Sequence, residues 1–424
     1  MDKLCIPQSN GVETLRRLGA CEEQIKAILP GWGDSFVNMP EKIFFLQKEV
    51  LDALQRFFSL SSSVMNSLYS AAETVEKNPD LAAYIWHFYY RIKQLSFSSG
   101  ASHAGFADFL LPEPLSAVAL VACGILRDAI ENYRNEGFTQ EIIRDTLRVY
   151  TDAFEAQVKR GEAPHVSLPA INWMRVYLAC RLVQLGRFNF KLMETSPFGI
   201  VLRNRKSRIK IMLSASEVHY NSRGFVLQQN DPYGSGAWCS KLEEDEKNWY
   251  GNVISPAGFA LPERRCFSKA EWECILRPGE IMIDMHIPAG GGMTPERALD
   301  SFQKAVAFFS RKNPGKFREI FICHSWIFNT QFEEKMPDSN LAKLMRECYL
   351  FPHDSSGRDG MFFLFGRDYE NLSQAPRDSS QRRAMLEILE SGERLRTGGM
   401  LLFAEDLPRF GTQCYRNDFK ELFI

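Results

Sequence analysis

The apolar period changes near Gly186, and that change limits the possible folds more tightly than any other feature of the chain. Before it, Ile43, Leu46, Val50, Leu54 and Phe57, and again Ile142, Leu147, Tyr150, Phe154 and Val158, recur at spacings close to one helical turn. Such stripes bury one face of a helix. Asn78-Pro79-Asp80, Thr139-Gln140-Glu141 and Ser167-Leu168-Pro169 place capping or first-turn residues ahead of apolar runs, so seven or eight helices are expected in this part. After Gly186 the apolar runs shorten, gain Ile, Val, Phe and Tyr, and are bounded by Gly, Asn, Asp, Ser or Pro. They read as strands over 187–194, 208–213, 217–220, 225–228, 249–254, 280–287, 319–326 and 361–365. Helical patterns cover 294–309 and, with a break, 329–346. The fold class expected is α+β: an all-α domain over 1–186, then an α/β domain over 187–424.

Composition removes several functions. The chain has 424 residues with 51 Lys+Arg against 52 Asp+Glu, and a protein that neutralises phosphates along nucleic acid needs a surplus of cations. No nucleic-acid partner is expected. The longest uncharged apolar stretch, 114–126, is well short of the roughly 20 residues that span a bilayer, so no membrane partner is expected either. The first eight residues carry no basic-then-apolar leader pattern, and the expected location is cytoplasmic. Ten cysteines are scattered without a Cys-x-x-Cys pair, which reads as reduced structural thiols and no metal site.

The stretch that carries chemistry runs from Glu280 through Asp284, His286 and Gly290-Gly291-Gly292 to Thr294-Pro295 and the helix beyond. It is a strand, a glycine loop and a helix with Thr294 as N-cap and Pro295 in the first helical position. Ala298, Phe302, Ala305 and Phe309 form the buried stripe, with Arg297, Asp300, Ser301 and Lys304 on the polar side. Glycines ahead of a helix N-terminus let backbone amides converge on an anion such as a pyrophosphate. The same glycines also suit a plain turn, and pattern alone leaves both readings open. The loop has no Walker lysine and no Gly-x-Gly-x-x-Gly with a distal acid.

His286-Ile-Pro-Ala-Gly-Gly-Gly-Met-Thr-Pro-Glu, then Phe308-Phe309, Phe321-Ile-Cys-His-Ser-Trp and Met336-Pro-Asp-Ser-Asn, in that order, resemble bacterial acyltransferase-domain proteins. In that family a helical acyltransferase-associated domain precedes a GNAT-like domain. The resemblance implies a mixed twisted sheet that binds acyl-CoA as co-substrate, with pantetheine in a splayed gap between strands and pyrophosphate on the loop. It implies acyl transfer to a small-molecule or peptide acceptor through an amine or hydroxyl, and leaves oligomeric state open. The cofactor-contacting positions are then Ile287, Ala289, Gly290, Gly291, Gly292, Met293, Thr294, Ser325 and Asn329. Gly290 and Gly292 match the glycines of the general loop pattern Gln/Arg-x-x-Gly-x-Gly/Ala, whereas Ile287 stands where Gln or Arg is usual. The tyrosine that often serves as general acid has no counterpart between Phe321 and Cys348; Tyr349 sits near the end. A sheet that keeps its fold as a non-catalytic binding module is the competing reading.

Strand alternation puts Asp284 and His286 on one face, and His286 and His324 both fall at the C-terminal ends of their strands, where open α/β sheets bind ligands. A neutral imidazole there suits general-base work on the acceptor; the other reading of each is a hydrogen-bonded histidine near the core. Cys323 and Ser325 point away from His324, which argues against a covalent nucleophile. Glu217, with His219 on its face, is a secondary base candidate or a solvated charged pair. Arg203, Arg205, Lys206, Arg208 and Lys210 read as a solvated hairpin or as a phosphate contact. Trp86, Phe88, Tyr89 and Tyr90 read as core.

Overall fold

A computed structural model describes residues 8–94, 116–194, 198–288 and 290–423. The chain divides into two compact units, Met1–Gln184 and Leu185–Ile424.

The first unit is helical. Among its described residues are ten α-helices, more than the stripes suggest, because three stretches of six residues or fewer, Trp32–Val37, Leu168–Trp173 and Arg175–Leu178, are too short to show a period. The Ile43–Phe57 stripe is broken as well: Phe44–Leu46 is a 3-10 turn, and the α-helix starts at Lys48. Thr139 caps its helix by accepting from Ile142 N at 3.4 Å, and Asn78 accepts from Leu81 N at 3.1 Å, each satisfying an amide that lacks an intrahelical partner. Helix Pro79–Gln94 is buried nearly all round, with Trp86, Phe88 and Tyr89 in the core and Tyr90 half-buried. Among the described residues no helix is long and apolar enough to cross a membrane.

The second unit holds two larger sheets. Within this unit the first is ordered Phe188–Glu194, Ile281–His286, Ile320–Ser325, Thr397–Phe403, Tyr349–His353. Ile281–His286 and Ile320–Ser325 run parallel, and the pairings flanking them are antiparallel. Helix Pro295–Lys312 packs on one face: the Phe302 ring lies 5.6, 6.4 and 4.8 Å from those of Phe188, Phe190 and Phe321. Each such buried ring contributes about 2–3 kcal/mol of transfer free energy. The second sheet is ordered Trp272–Leu276, Gly199–Asn204, Lys210–Ser214, Asn248–Ser255, Glu243–Glu244, and Phe259–Ser268 pairs with Asn248–Ser255. Ile200, Leu202, Ile211, Leu213, Trp249 and Trp272 fill its core. Tyr349 joins the two sheets: its hydroxyl donates to Ile254 O and accepts from Met212 N at 3.0 Å.

Several expectations are corrected. Residues 361–365 form a helix, Met361–Phe365, because Gly360 and Gly366 flank it in the left-handed conformation and start and stop the turn. Residues 225–228 make only a single bridge, Val226 to Tyr220. In 217–220 only His219–Tyr220 is strand, since Glu217 has φ 65° in a turn. Ser301 is fully buried rather than on the polar face: its hydroxyl donates to Leu185 O and accepts from Phe188 N at 3.1 Å.

Candidate active site

The site grows out of one irregularity in the first sheet. Ile281–His286 and Ile320–Ser325 pair only at Ile283 with Phe321 and at Asp284 with Ile322. On their outer sides pairing continues to His286 with Asn189 and to Ser325 with Gly398. Past Asp284 and Ile322 the two strands therefore part, and a gap opens at their C-terminal ends. Backbone polar groups that line such a gap have lost their ladder partners and need others.

His286 and His324 stand on opposite banks of this gap, on the face away from the helix. His286 Nε2 lies 3.0 Å from Asp284 Oδ2, and Lys191 Nζ lies 3.3 Å from the same oxygen. Asp284 is buried, and His286 is a third exposed. The structure thus brings Asp284 and His286 together, with the carboxylate placed to orient the ring. His324 is different. Burial, reinforced by the neighbouring His353 and opposed by Asp284, pushes its pKa down to about 4, so the ring is neutral at physiological pH. Its Nε2 makes no hydrogen bond among the described residues. The His353 and Phe351 rings touch it at centroid distances of 4.5 and 5.4 Å. Gly399, opposite His324 in the register, makes that contact possible, since a Cβ there would collide with the Phe351 ring.

The glycine loop follows directly. Gly290, Gly291 and Gly292 have φ of 80°, 71° and 51°, a left-handed run that side chains rarely adopt. Arg187 holds both ends of it: Nε donates to Gly292 O and an Nη to Pro288 O, each at 2.9 Å. Arg297 donates to Gly291 O. Carbonyls are thereby taken by guanidinium groups, while the amides of the three glycines make no hydrogen bond among the described residues. Thr294 caps the helix, accepting from Arg297 N at 3.4 Å. Arg187 is 8% exposed, and among the described residues no carboxylate pairs with it or with Arg297. Burial and the adjacent Arg297 both depress its pKa. Two neighbouring cations without a counter-charge beside free amides are an arrangement whose chemistry suits an anion.

Other candidates lie elsewhere or have local duties. Ile287 and Met293 are half-buried beside the loop; Ala289 lies outside the described residues. Ser325 accepts from Ile327 N, and the buried Asn329 accepts from Gln331 N, both as caps. Glu217 is exposed in its turn after strand Lys210–Ser214 of the second sheet. Cys323 is buried with its thiol pKa raised by burial, which leaves it unreactive. Tyr349 is buried and its pKa raised for the same reason. Arg203, Arg208 and Lys210 are answered by Glu273, Glu405 and Asp406. Sequence reasoning missed Arg187, His353 and Phe351; for Arg187 the one signal was a lone cation directly after the glycine that ends the helical period.

Comparison with solved structures gives the same architecture over nearly the whole chain. An acyltransferase in complex with decanoyl-CoA and teicoplanin aligns over 92% of this chain and 98% of its own, with TM-score 0.61 and 16% identity. An acyltransferase in complex with CoA and 10C-teicoplanin aligns over 93% and 99%, also at 0.61 and 16%. At this identity the likeness is one of fold. Comparison with curated protein sequences finds no match. The family model for the GNAT-like C-terminal domain matches residues 182–401, more than half of the chain, and the chain belongs to that family.

Proposed function

We propose that the protein is an acyl-CoA-dependent acyltransferase whose acceptor is a small molecule bearing an amine or hydroxyl. The observation that carries this reading is the parting of two parallel strands between two histidines, immediately before a loop whose carbonyls are held by guanidiniums and whose glycine amides make no hydrogen bond among the described residues. Pantetheine lies in the gap, where its amides replace missing ladder partners, and pyrophosphate meets the glycine amides. The cation missing at Ile287 is supplied by Arg187 and Arg297 from other elements. Structural neighbours crystallised with CoA, octanoyl-CoA and decanoyl-CoA support the same ligand class.

The chemistry is direct attack. The acceptor nitrogen or oxygen bonds to the thioester carbonyl carbon as His286 takes its proton, with Asp284 steadying the imidazolium that forms. The C–S bond then breaks, and the CoA thiolate leaves and takes up the proton held by the His286 imidazolium, which restores the neutral base. His324, held neutral, is the group on the opposite bank that faces the thioester carbonyl; with its proton on Nε2 the neutral imidazole donates a hydrogen bond where charge develops on oxygen.

The test is thiol release from acyl-CoA across a library of amines and alcohols. Turnover with at least one acceptor is expected, falling about 10²–10⁴-fold in His286→Ala with little change in CoA affinity. Undiminished turnover in both His286→Ala and His324→Ala sinks the histidine assignment. CoA binding without thioester consumption for any acceptor favours the non-catalytic module.

A further inference from the structure

The described residues include an aromatic patch that the proposed reaction has not used. Phe362 and Phe363 are 66% and 73% exposed, on the five-residue helix Met361–Phe365. Their exposure is held in place by specific contacts. Arg358 binds Asp368 through two nitrogens and reaches Tyr369 O at 2.7 Å, and Arg382 Nε donates to Leu364 O at 2.9 Å. Asp359 takes Ser356 N at 2.7 Å and Ser355 Oγ at 2.6 Å. Phe363 stacks on Trp326 at 6.0 Å with planes 11° apart. Gly360, at φ 94°, allows the close approach, because a Cβ there would run into the Trp326 ring. Two phenylalanines fixed outward in this way mark a binding surface.

Its place in the fold selects the occupant. Trp326 is the residue immediately after the Ile320–Ser325 strand, which forms one bank of the gap, and lies two residues past His324. The segment carrying the phenylalanines leaves the sheet at His353, whose ring touches that of His324. The patch therefore continues from the end of the sheet where the thioester carbonyl would sit, and it offers two exposed phenylalanine rings backed by the partly exposed Trp326. We propose that Trp326, Phe363 and Phe362 form a platform for the hydrocarbon chain of a long-chain acyl-CoA, so that the protein selects donors with acyl groups well beyond acetyl. This inference rests on the acyl-CoA reading and specifies its substrate class.

The test is calorimetric titration of the full chain with CoA, acetyl-CoA, hexanoyl-CoA and octanoyl-CoA. A fully buried methylene is worth about fourfold in affinity; on an open platform, octanoyl-CoA is expected to bind at least about tenfold tighter than acetyl-CoA. In the double variant Phe362→Ser/Phe363→Ser the ratio falls to within about threefold while CoA affinity is unchanged. Both positions are exposed, and an unchanged melting temperature confirms that the variant folds. CoA binding with no gain along the series, or a gain that survives in the variant, overturns the platform alone. A flat series together with binding to phosphatidylcholine vesicles assigns the patch to a lipid surface instead. Failure of CoA itself to bind overturns the acyl-CoA reading and the platform with it.

Discussion

The basic hairpin and the glycine loop lie in the same unit, and they handle positive charge in opposite ways. On the hairpin, Arg203 meets Glu273 and Glu405, Arg208 meets Glu405, and the buried Lys210 sits 2.7 Å from Asp406 and 2.9 Å from Glu405. At the loop, Arg187 is equally withdrawn from water yet spends its hydrogen bonds on carbonyls, with Arg297 beside it and no acid between them among the described residues. A buried charge is tolerated when a partner or a set of hydrogen bonds compensates it. The first cluster is compensated internally and belongs to the fold; the second, in the function proposed, is compensated fully when the pyrophosphate binds. In sequence, five cations within eight residues are far more conspicuous than a single arginine after a glycine. Density of charge is the wrong guide, and absence of acids nearby in space is the right one.

Three substitutions or conditions sharpen this contrast. The largest effect is expected from Lys210→Ala, which leaves Asp406 buried without its cation: a loss of about 3–5 kcal/mol in urea denaturation, with CoA affinity of the remaining folded protein unchanged. A loss of CoA affinity equal to that of loop variants breaks the contrast. Next is Gly291→Val. Its φ is 71°, and a Cβ there would lie 3.4 Å from the Arg297 guanidinium. A branched side chain therefore costs about 1–3 kcal/mol, and the rise in melting temperature produced by CoA should vanish. The smallest effect is in acid. Hydrogen bonds and charges from Lys210 and Arg203 overcome burial and hold the Glu405 carboxyl down to about 2, from an ordinary 4.5. Its contribution is present above 4.5 and is lost as pH falls toward 2. Arg203→Gln should flatten that acid limb of the stability curve; an unaltered limb separates Glu405 from the hairpin.

Much of this is legible in the residues. The strand, glycine loop and helix follow from apolar alternation, three glycines and a Thr-Pro cap, all local signals, and Asp284 with His286 follows from a two-residue spacing. What fails to show is set by distant partners. Strand Thr397–Phe403 opens with Gly398 and Gly399, which look like a turn until the Phe328 carbonyl and the Phe351 ring are seen filling the space of their absent side chains. Ser301 looks polar in a helical stripe, yet it is buried because it bonds the backbone at both ends of the turn at Gly186. Met361–Phe365 reads as a strand by composition; the glycines at 360 and 366 are the signals that make it a helix. The gap itself depends on where pairing stops, which no local pattern encodes.

The proposed chemistry depends above all on the loop at 290–292 being built for the pyrophosphate of CoA, with Arg187 as the residue that positions it. The most direct measurement is calorimetric titration of the full chain with CoA and with pantetheine, which lacks the pyrophosphate, repeated on Arg187→Gln and Arg187→Lys. Charge-assisted hydrogen bonds to an anion are worth about 1.5–3 kcal/mol. CoA should therefore bind at least about tenfold tighter than pantetheine, with that advantage lost in Arg187→Gln and partly restored in Arg187→Lys. Equal affinity for the two ligands in the unaltered protein, or an advantage that persists in Arg187→Gln, would contradict the account.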